Sequence, residues 1–560
     1  MTNRQSNLRK PNIIWIIPDD TNHRMLGYGG GAALSPNIDT IARNGIVLSQ
    51  FHCTAPACCP SRYSYFSGHY GGRCPRDEFK KRDGKDREPY SVYFNTALDP
   101  DREPSIGHAL QRAGYRTGHV GKWHIHGSRK DIASIPRFDP EEDPRDPDVG
   151  ERLKRQQEHL CQIVRKAGFD YASSVIWGNH ESLPLKARNH NIEWITWGGL
   201  RFIDECNDGD KPFFLSMATT TIHGPNHVES LLADPYLTGA GYRDAHVGCQ
   251  PSRQSIYRRI AHAGGVRFNS TTAGVLWMDD AVGAVLDKVR RLGIEDNTLI
   301  IFSGDHGPSL GGKFSVYERG THIPFAAQWP GVIPAGSRSG QPAQNIDFAP
   351  TLLDAAGATA PDDMRLDGQS LMPILTGKRD ALPHREELYF EFGYARAVRT
   401  ERWKYIAWRL PRQLIDRMKQ GDTNVPYNHF GRPVNHDLQR PGLLSGTLLR
   451  YPCYWDADQL YDLENDPHET RNLAQNPQHD HVLTDMRERM RGYLKTFDRD
   501  FPLDRTEEFL QSDQFEKLKQ NAMESVRKLK NAWVADMRLI GFSDATETPE
   551  SENVFQSAIA

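Results

Sequence analysis

The sequence predicts an α/β fold: a mixed, mostly parallel sheet sandwiched by helices, with a smaller C-terminal α+β domain built on an antiparallel sheet. Three observations carry this. Over residues 1–385, apolar strand-like runs alternate with stretches of helical periodicity, as in βαβ units. From about Leu388 the chain switches to alternation of apolar and polar residues around turn positions, the mark of antiparallel strands. A chain of 560 residues also exceeds one ordinary core, so two domains are expected. The boundaries predicted are 1–385 for the α/β domain, 386–503 for the antiparallel-sheet domain with its packing helix, and 504–560 for a helical, polar extension.

In the first domain the expected strands are Asn12–Ile17, Thr117–Val120, Pro212–Ala218, Thr298–Ser303 and Phe325–Trp329. Helices fit Ser35–Asn44, Ser105–Ala113, Glu193–Cys206, Thr271–Leu292 and Asp347–Ala356. After Asn269, the residues Val275, Met278, Val282, Val285 and Val289 share one helical face with charges opposite. Phe138 to Gly150, rich in Pro, Asp and Glu, reads as a surface excursion. In the second domain, LYFEFGYARAVRTERWKYIAW suggests antiparallel strands around a Thr-Glu turn, and a helix follows near His481–Phe497. Glu516–Val534 reads as a solvated terminal helix before a polar, frayed end, with an oligomerisation arm or a cover over the site as alternatives. There is no internal repeat.

Composition excludes several classes. Lys and Arg total 69 against 72 Asp and Glu, a net charge of −3, which argues against a nucleic-acid partner. Hydrophobic residues at 38%, joined by 47 Gly, approach the globular norm and exclude wholesale disorder. The 11 Trp, 20 Tyr and 22 His hint at a polar, ring-stacking ligand. The apolar run Ile13–Ile17 ends at Pro18-Asp19-Asp20, short of the roughly 7–15 residues of a signal peptide's apolar region. No stretch approaches the ~20 apolar residues of a membrane span, so no membrane partner is expected. As it stands the sequence predicts a cytoplasmic protein, or a periplasmic or secreted one if a leader has been removed. Eight Cys make no disulfide framework, yet Cys53, Cys58, Cys59 and Cys74 crowd together.

That cluster lies in CTAPACCPSRYSYFSGHYGGR, where Cys58-Cys59-Pro60-Ser61-Arg62 fits C-x-P-S-R and Ser67-Gly68 closes the pattern. Only Cys58 stands two before Pro60 and four before Arg62. Asp19-Asp20 follow the first strand, and acidic residues at the carboxyl end of a parallel strand suit a hard divalent cation. In IIFSGDHGPSLGGKFSVYERGTHIP, Asp305-His306 emerge after another strand and Lys313 stands four before Tyr317-Glu318. Gly121-Lys122-Trp123-His124 and Thr221-Ile222-His223-Gly224-Pro225 each follow a strand as well.

Together these segments, in order over residues 11–380, resemble the type I sulfatases, of the alkaline-phosphatase-like superfamily. QLYDLENDPHETRNLA, at 459–474, is a weaker echo of the family's C-terminal domain. The resemblance implies hydrolysis of a sulfuric ester, with Cys58 oxidised to formylglycine by a formylglycine-generating or anaerobic sulfatase-maturing enzyme. It implies one Ca²⁺ held by Asp19, Asp20, the modified Cys58, Asp305 and His306. His306 stands where the family commonly has Asn, so it contacts the metal, the sulfate or both. Gly320-Thr321-His322-Ile323-Pro324 replaces a more usual Gly-x-Arg-x-Pro. Arg62, Lys122 and Lys313 are implied as clamps on the sulfate, and Asp305 as the base on the attacking hydroxyl. His223, with Lys313, is implied as the donor to the leaving oxygen, and His124 as the base that regenerates the aldehyde. His126 and His227 match nothing and read as surface histidines.

A sulfated mono-, oligo- or polysaccharide is the expected substrate. Trp177, Trp194 and Trp197, with His180, Arg188 and His190, occupy an insertion-like stretch whose rings and cations suit a sulfated sugar. Of these, His180, Arg188 and Trp197 are the candidates for substrate binding, while a core role for the tryptophans stays open. Asn424–Arg450 is a candidate cover for the pocket. An aryl or alkyl sulfatase, a phosphate or phosphonate ester hydrolase, and an inactive sulfated-glycan-binding protein remain alternatives, as does a homo-oligomer.

Overall fold

The computed structural model describes residues 10–76, 98–125, 134–207, 209–378, 385–438 and 443–539, with 81–82, 85–86 and 92 between them. Its central sheet is formed by Asn12–Ile17 (β1), Ile46–Leu48 (β2), Arg116–Lys122 (β3), Tyr171–Ile176 (β4), Phe213–Ala218 (β5), Thr298–Ser303 (β6), Phe325–Gln328 (β7) and Ser337–Ser339 (β8). The order across the sheet is β8-β2-β7-β6-β1-β5-β3-β4. Strand β7 alone runs against its neighbours, β6 and β2; the other pairings are parallel. All five expected strands are present. The three-residue β2 and β8 are too short to show a pattern, and Ser173-Ser174 interrupt the apolar run of β4.

The helices of this domain include Pro36–Asn44 (α1), Cys58–Ser67 (α2), Ile106–Arg112 (α3), Pro147–Lys166 (α4), Ile192–Asn207 (α5), Ser270–Arg291 (α6), Glu318–Thr321 (α7) and Phe348–Ala355 (α8). Strand β1 shows why its sequence is a continuous apolar run. Ile13, Trp15 and Ile17 pack with Tyr65 and Phe66 of α2, Leu110 of α3, Val164 of α4 and Phe348 of α8. Ile14 and Ile16 face the other way, onto Ile38 of α1, Ile195 and Phe202 of α5, and Met278 and Val282 of α6. A strand covered on both faces has no wet side to alternate with, and each such burial contributes about 1.5–3 kcal/mol.

The second domain is a four-stranded antiparallel sheet, in spatial order Leu388–Phe392 (β9), Ala395–Arg399 (β10), Trp403–Trp408 (β11) and Asp458–Asp462 (β12). Asp480–Leu494 (α9) packs Met486 and Met490 into its core. No described helix is long and apolar enough to cross a membrane.

Three expectations are corrected. Asp279 and Asp280, on the supposed charged face of α6, are buried: Asp279 accepts from the backbone N–H of Asn37 (2.9 Å) and Ile38 (2.8 Å) at the start of α1, and Asp280 pairs with Arg259. The Phe138–Gly150 excursion ends in the first turn of α4, because Pro147 favours a first helical position, and Phe138 and Val149 are buried beside Leu153 and Leu183. The terminal helix, Asp513–Leu539 (α10), is not simply solvated: Phe515, Leu518, Ala522 and Val526 sit in the second domain's core. The frayed end expected beyond it, and His126, lie outside the described residues.

Candidate active site

Four adjacent parallel strands, β3, β5, β1 and β6, end on the same edge of the sheet, where open α/β sheets bind ligands. That shared edge gathers segments far apart in sequence. Beyond β1 come Asp19 and Asp20, beyond β6 Asp305 and His306, at the end of β3 Lys122, and beyond β5 the His223 loop. Backbone bonds lace these loops together: Asp19 N–H donates to Thr221 O (2.7 Å), Ile222 N–H to Asp19 O (2.6 Å), and Asp305 N–H to Pro18 O (3.3 Å). Gly121 explains the glycine before Lys122. Its φ is +88°, and a Cβ there would lie 1.8 Å from Ala218 O of β5.

Cys58 opens α2, whose ten residues are all buried, so its thiol sits at the positive end of a short buried helix. The helix is fixed to the metal-type loop by the Ser61 hydroxyl, which donates to Asp305 O, and by Arg62, whose Nε donates to Asp305 Oδ2 (3.0 Å) and Nη1 to Lys122 O (2.9 Å). Around Cys58 Sγ stand His306 Nε2 at 3.1 Å, Lys122 Nζ at 3.5 Å and Asp19 Oδ1 at 3.5 Å. Lys122 Nζ is also ion-paired with Asp19 Oδ2 and donates to Asn179 Oδ1 (3.1 Å). Lys313 Nζ donates to Asp20 Oδ1 (2.8 Å), and the Ser309 hydroxyl donates to Asp20 Oδ2. Ligand atoms of Asp20, Cys58 and His223 lie within 4.8 Å of one another. His124, held by its N–H on Trp177 O (2.8 Å), presents a buried Nδ1 with no hydrogen-bond partner among the described residues.

The electrostatics follow from burying so many charges together. Burial alone raises a carboxyl, yet Lys122, His223 and Lys313 hold Asp19 well below its usual range, and Lys313 leads the lowering of Asp20. Burial and the adjacent Asp19 push Asp305 up to about 7. Against burial, Asp305 and Cys58 raise His306 to about 9. Burial and Asp19 oppose ionisation of Cys58, but Lys122, Lys313 and His306 outweigh them and bring its thiol down to about 6. Burial and nearby lysines lower His124 and His223, so neither imidazole is permanently charged.

The donor set fits a divalent cation. Oxygens of Asp19, Asp20 and Asp305 lie 3.5, 3.3 and 3.7 Å from His306 Nε2, and Asp19, Cys58, Asp305 and His306 form a buried group of ligand atoms within 4.8 Å of one another. His306 Nδ1 lies 2.7 Å from Gly307 O, a carbonyl that can only accept; in the neutral ring the proton is therefore on Nδ1 and the Nε2 lone pair faces the carboxylates.

The sugar-binding candidates are placed unevenly. His180 is buried beside His190, with its Nε2 unpartnered, and is close enough to Lys122 and His223 for their charges to disfavour its protonation after burial has done so. Arg188 Nε donates to Leu183 O, within its own loop. Trp194 is buried in the core on the α5–α6 side of the sheet, Trp177 packs against the separate core cluster on the α2–α3 side, and Trp197 carries Arg243 and Arg201 over its ring at 4.5 and 5.0 Å. The Asn424–Arg450 stretch buries Val425, Tyr427, Phe430 and Leu444 in the second domain, and its Gly446 abuts Leu310 and Gly311 in the loop leading to Lys313. His227, expected at the surface, is buried and stacked on His190, ring centroids 4.6 Å apart. His322, in the altered Gly-x-Arg-x-Pro segment, stacks between His23 and His52. Asn179 and Ser309 had no motif to mark them. Asn179 follows β4 at the same sheet edge, the one signal that pointed to it. All eight cysteines are free thiols.

A family model described as Sulfatase matches residues 11–358, and one described as N-sulphoglucosamine sulphohydrolase, C-terminal, matches 304–440. Arylsulfatase D of Homo sapiens is 26% identical over 532 residues, covering 84% of each chain. The N-acetylgalactosamine-6-sulfatase of Sus scrofa is 28% identical over 421 residues, covering 71% of this chain and 72% of that one. Among solved structures, Ps i-CgsB in complex with k-i-k-neocarrahexaose superposes with a TM-score of 0.58 at 21% identity, over 91% of this chain and 99% of that one.

Proposed function

The chain belongs to the sulfatase family, with its alkaline-phosphatase-like fold, and is a sulfuric ester hydrolase; from that premise we propose that it removes sulfate from a sulfated carbohydrate. The observation that carries this reading is the polar set gathered near Cys58. His223 lies within 4.8 Å of the Cys58 ligand atom, Asn179 accepts from Lys122, and buried His124 and His180 each present a ring nitrogen without a partner among the described residues, whereas Trp123 and Trp194 are buried in the core. Such a set suits hydroxylated rings better than a steroid or a plain alkyl chain. A 28% identical relative named for N-acetylgalactosamine 6-sulfate and the sulphoglucosamine C-terminal model support the same class.

A sulfate monoester needs a nucleophile on sulfur, cations on its oxygens and a proton for the leaving oxygen. Cys58 occupies the nucleophile's place, and its oxidation to formylglycine supplies the hydroxyl of a hydrated aldehyde there. Asp19, Asp20, Asp305 and His306 would hold the divalent cation, Ca²⁺ being favoured by the carboxylate-rich set, which supplies Lewis-acid polarisation and a lowered hydroxyl pKa. Arg62, Lys122 and Lys313 bind and orient the anionic ester. Asp305, raised toward neutrality, accepts a proton from the attacking hydroxyl. His223 keeps its Nδ1 on Gly224 O (3.0 Å) and, protonated at Nε2 through Lys313 once the anionic ester is bound, gives that Nε2 proton to the leaving oxygen, while neutral His124 accepts one as the site resets.

Sulfate release from a panel of defined sulfated mono- and oligosaccharides, with steryl and 4-nitrophenyl sulfates alongside, tests the substrate class. A saccharide is expected to lead by kcat/KM, and a steryl sulfate leading would overturn the reading. Intact-peptide mass spectrometry is expected to show the thiol-to-aldehyde mass loss at Cys58; full turnover with unmodified Cys58 would sink the proposed nucleophile.

A further inference from the structure

His190 lies outside every motif, yet it grips the loop that carries His223 at both ends. It is fully buried between β4 and α5. Its Nε2 lies 2.8 Å from Pro225 O and its Nδ1 2.8 Å from Thr220 Oγ1. A carbonyl can only accept, so Nε2 carries the proton and Nδ1 takes the Thr220 hydroxyl proton. Both hydrogen-bonding positions of the neutral ring are thereby used, one on each side of the segment Thr221–Gly224.

The ring itself is held from behind. His227 stacks on it at 4.6 Å with an interplanar angle of 7°, and Trp277 meets it edge-on at 6.3 Å. Ser270 fixes His227, its oxygen accepting from the His227 backbone N–H (3.0 Å) and lying 2.9 Å from the ring Nδ1. The opposite side of the same loop is bonded to the Asp19 backbone through Thr221 O and Ile222 N–H. The His223 loop is thus strung between the backbone of Asp19, at the candidate cation site, and a buried, neutral imidazole.

We propose that His190 is a positioning residue for catalysis, fixing the His223 loop so that the His223 imidazole meets the departing ester oxygen. The inference rests on the reading of His223 as the proton donor. A general acid contributes only when it lies within hydrogen-bond reach of its target, so loosening the loop removes proton donation while sulfate binding by Lys122, Lys313 and Arg62 persists.

The test uses the full-length enzyme and two aryl sulfates of similar shape. The phenolate of 4-nitrophenyl sulfate leaves without a proton, whereas that of 4-methoxyphenyl sulfate needs one. H190A is expected to lower kcat on the methoxyphenyl ester at least about tenfold more than on the nitrophenyl ester, within the 10²–10⁴ range of general-acid catalysis, with little change in KM. H190Q, which retains a donor within reach of Pro225 O, is expected to recover part of that difference and keeps the test open if H190A fails to fold. H223A is expected to show the same selectivity, and H190A/H223A no further selective loss. Equal losses on both esters in the His190 variants, with H223A selective, would overturn the positioning role alone. An unselective H223A would instead overturn the assignment of His223 as donor.

Discussion

The imidazole Nε2 of His306 stands 3.1 Å from the Sγ of Cys58, with both side chains sealed from solvent. The same nitrogen faces the three carboxylates, so a proton and a cation compete for it. His306 titrates at about 9 when Asp305 and Cys58 surround it, above its ordinary value. A folded-state pKa raised in this way means the proton is bound at pH 7 and released as pH rises through 9. In the protein carrying the unmodified Cys58 thiol, divalent-cation affinity is therefore expected to climb from pH 6.5 to 9, by up to about tenfold per unit, and to level off above. Isothermal titration in two buffers of different ionisation enthalpy should show proton release on binding. H306N should flatten that dependence while retaining binding.

Arg62 is the buried partner of Asp305, at 3.0 Å with no exposure on either side chain. R62A leaves that carboxylate uncompensated and should destabilise the fold by about 3–5 kcal/mol as well as abolish sulfate release. R62K keeps the charge but cannot reach both Asp305 and the Lys122 carbonyl from one planar group. It is expected to recover more stability than activity, as read by thermal melting beside kcat.

Lys404 of β11 joins the two domains. Its Nζ lies 2.9 Å from Glu318 Oε1 of α7 and 3.1 Å from Glu469 Oε1, wholly buried, and Glu469 Oε2 accepts the Glu318 N–H at 2.7 Å. Removing Lys404 leaves Glu469 uncompensated, while Glu318 keeps Arg399 Nε at 3.2 Å. K404M is expected to lower stability by about 3–5 kcal/mol in chemical denaturation, and K404M/E469Q should recover part of it by deleting the stranded charge.

G121A should be among the most damaging single-methyl changes in the chain. The added Cβ meets a β5 carbonyl at 1.8 Å in a left-handed backbone, directly before Lys122. Strand separation or loss of the local turn must follow, with a marked fall in melting temperature and in kcat. G114A, also at positive φ but with nothing within 4 Å of its Cβ, isolates the backbone contribution and should be milder.

The sequence by itself determined the central strands and named the candidate site residues that the structure gathers at one sheet edge. Apolar runs such as NIIWII end in Asp19-Asp20, and the parallel sheet that such runs form carries its ligands at their carboxyl ends. The five motif segments name Cys58, Arg62, Lys122, His223, Asp305 and Lys313 because short-range spacing is written into a strand-to-loop junction. The QLYDLENDPHETRNLA echo contains Glu469 but singled out neither that residue nor its bond to the Glu318 N–H at the start of α7. Only the tertiary structure decided the rest. Asp279, Asp280 and His227 look solvated in sequence, because polarity and helical phase say nothing of which neighbour covers a face. Trp197 reads as a sugar platform until Arg201 and Arg243 are seen across its ring. Asn179, Ser309 and His190 belong to no local pattern; they reach the site through strand order and loop packing, long-range relations that only folding creates.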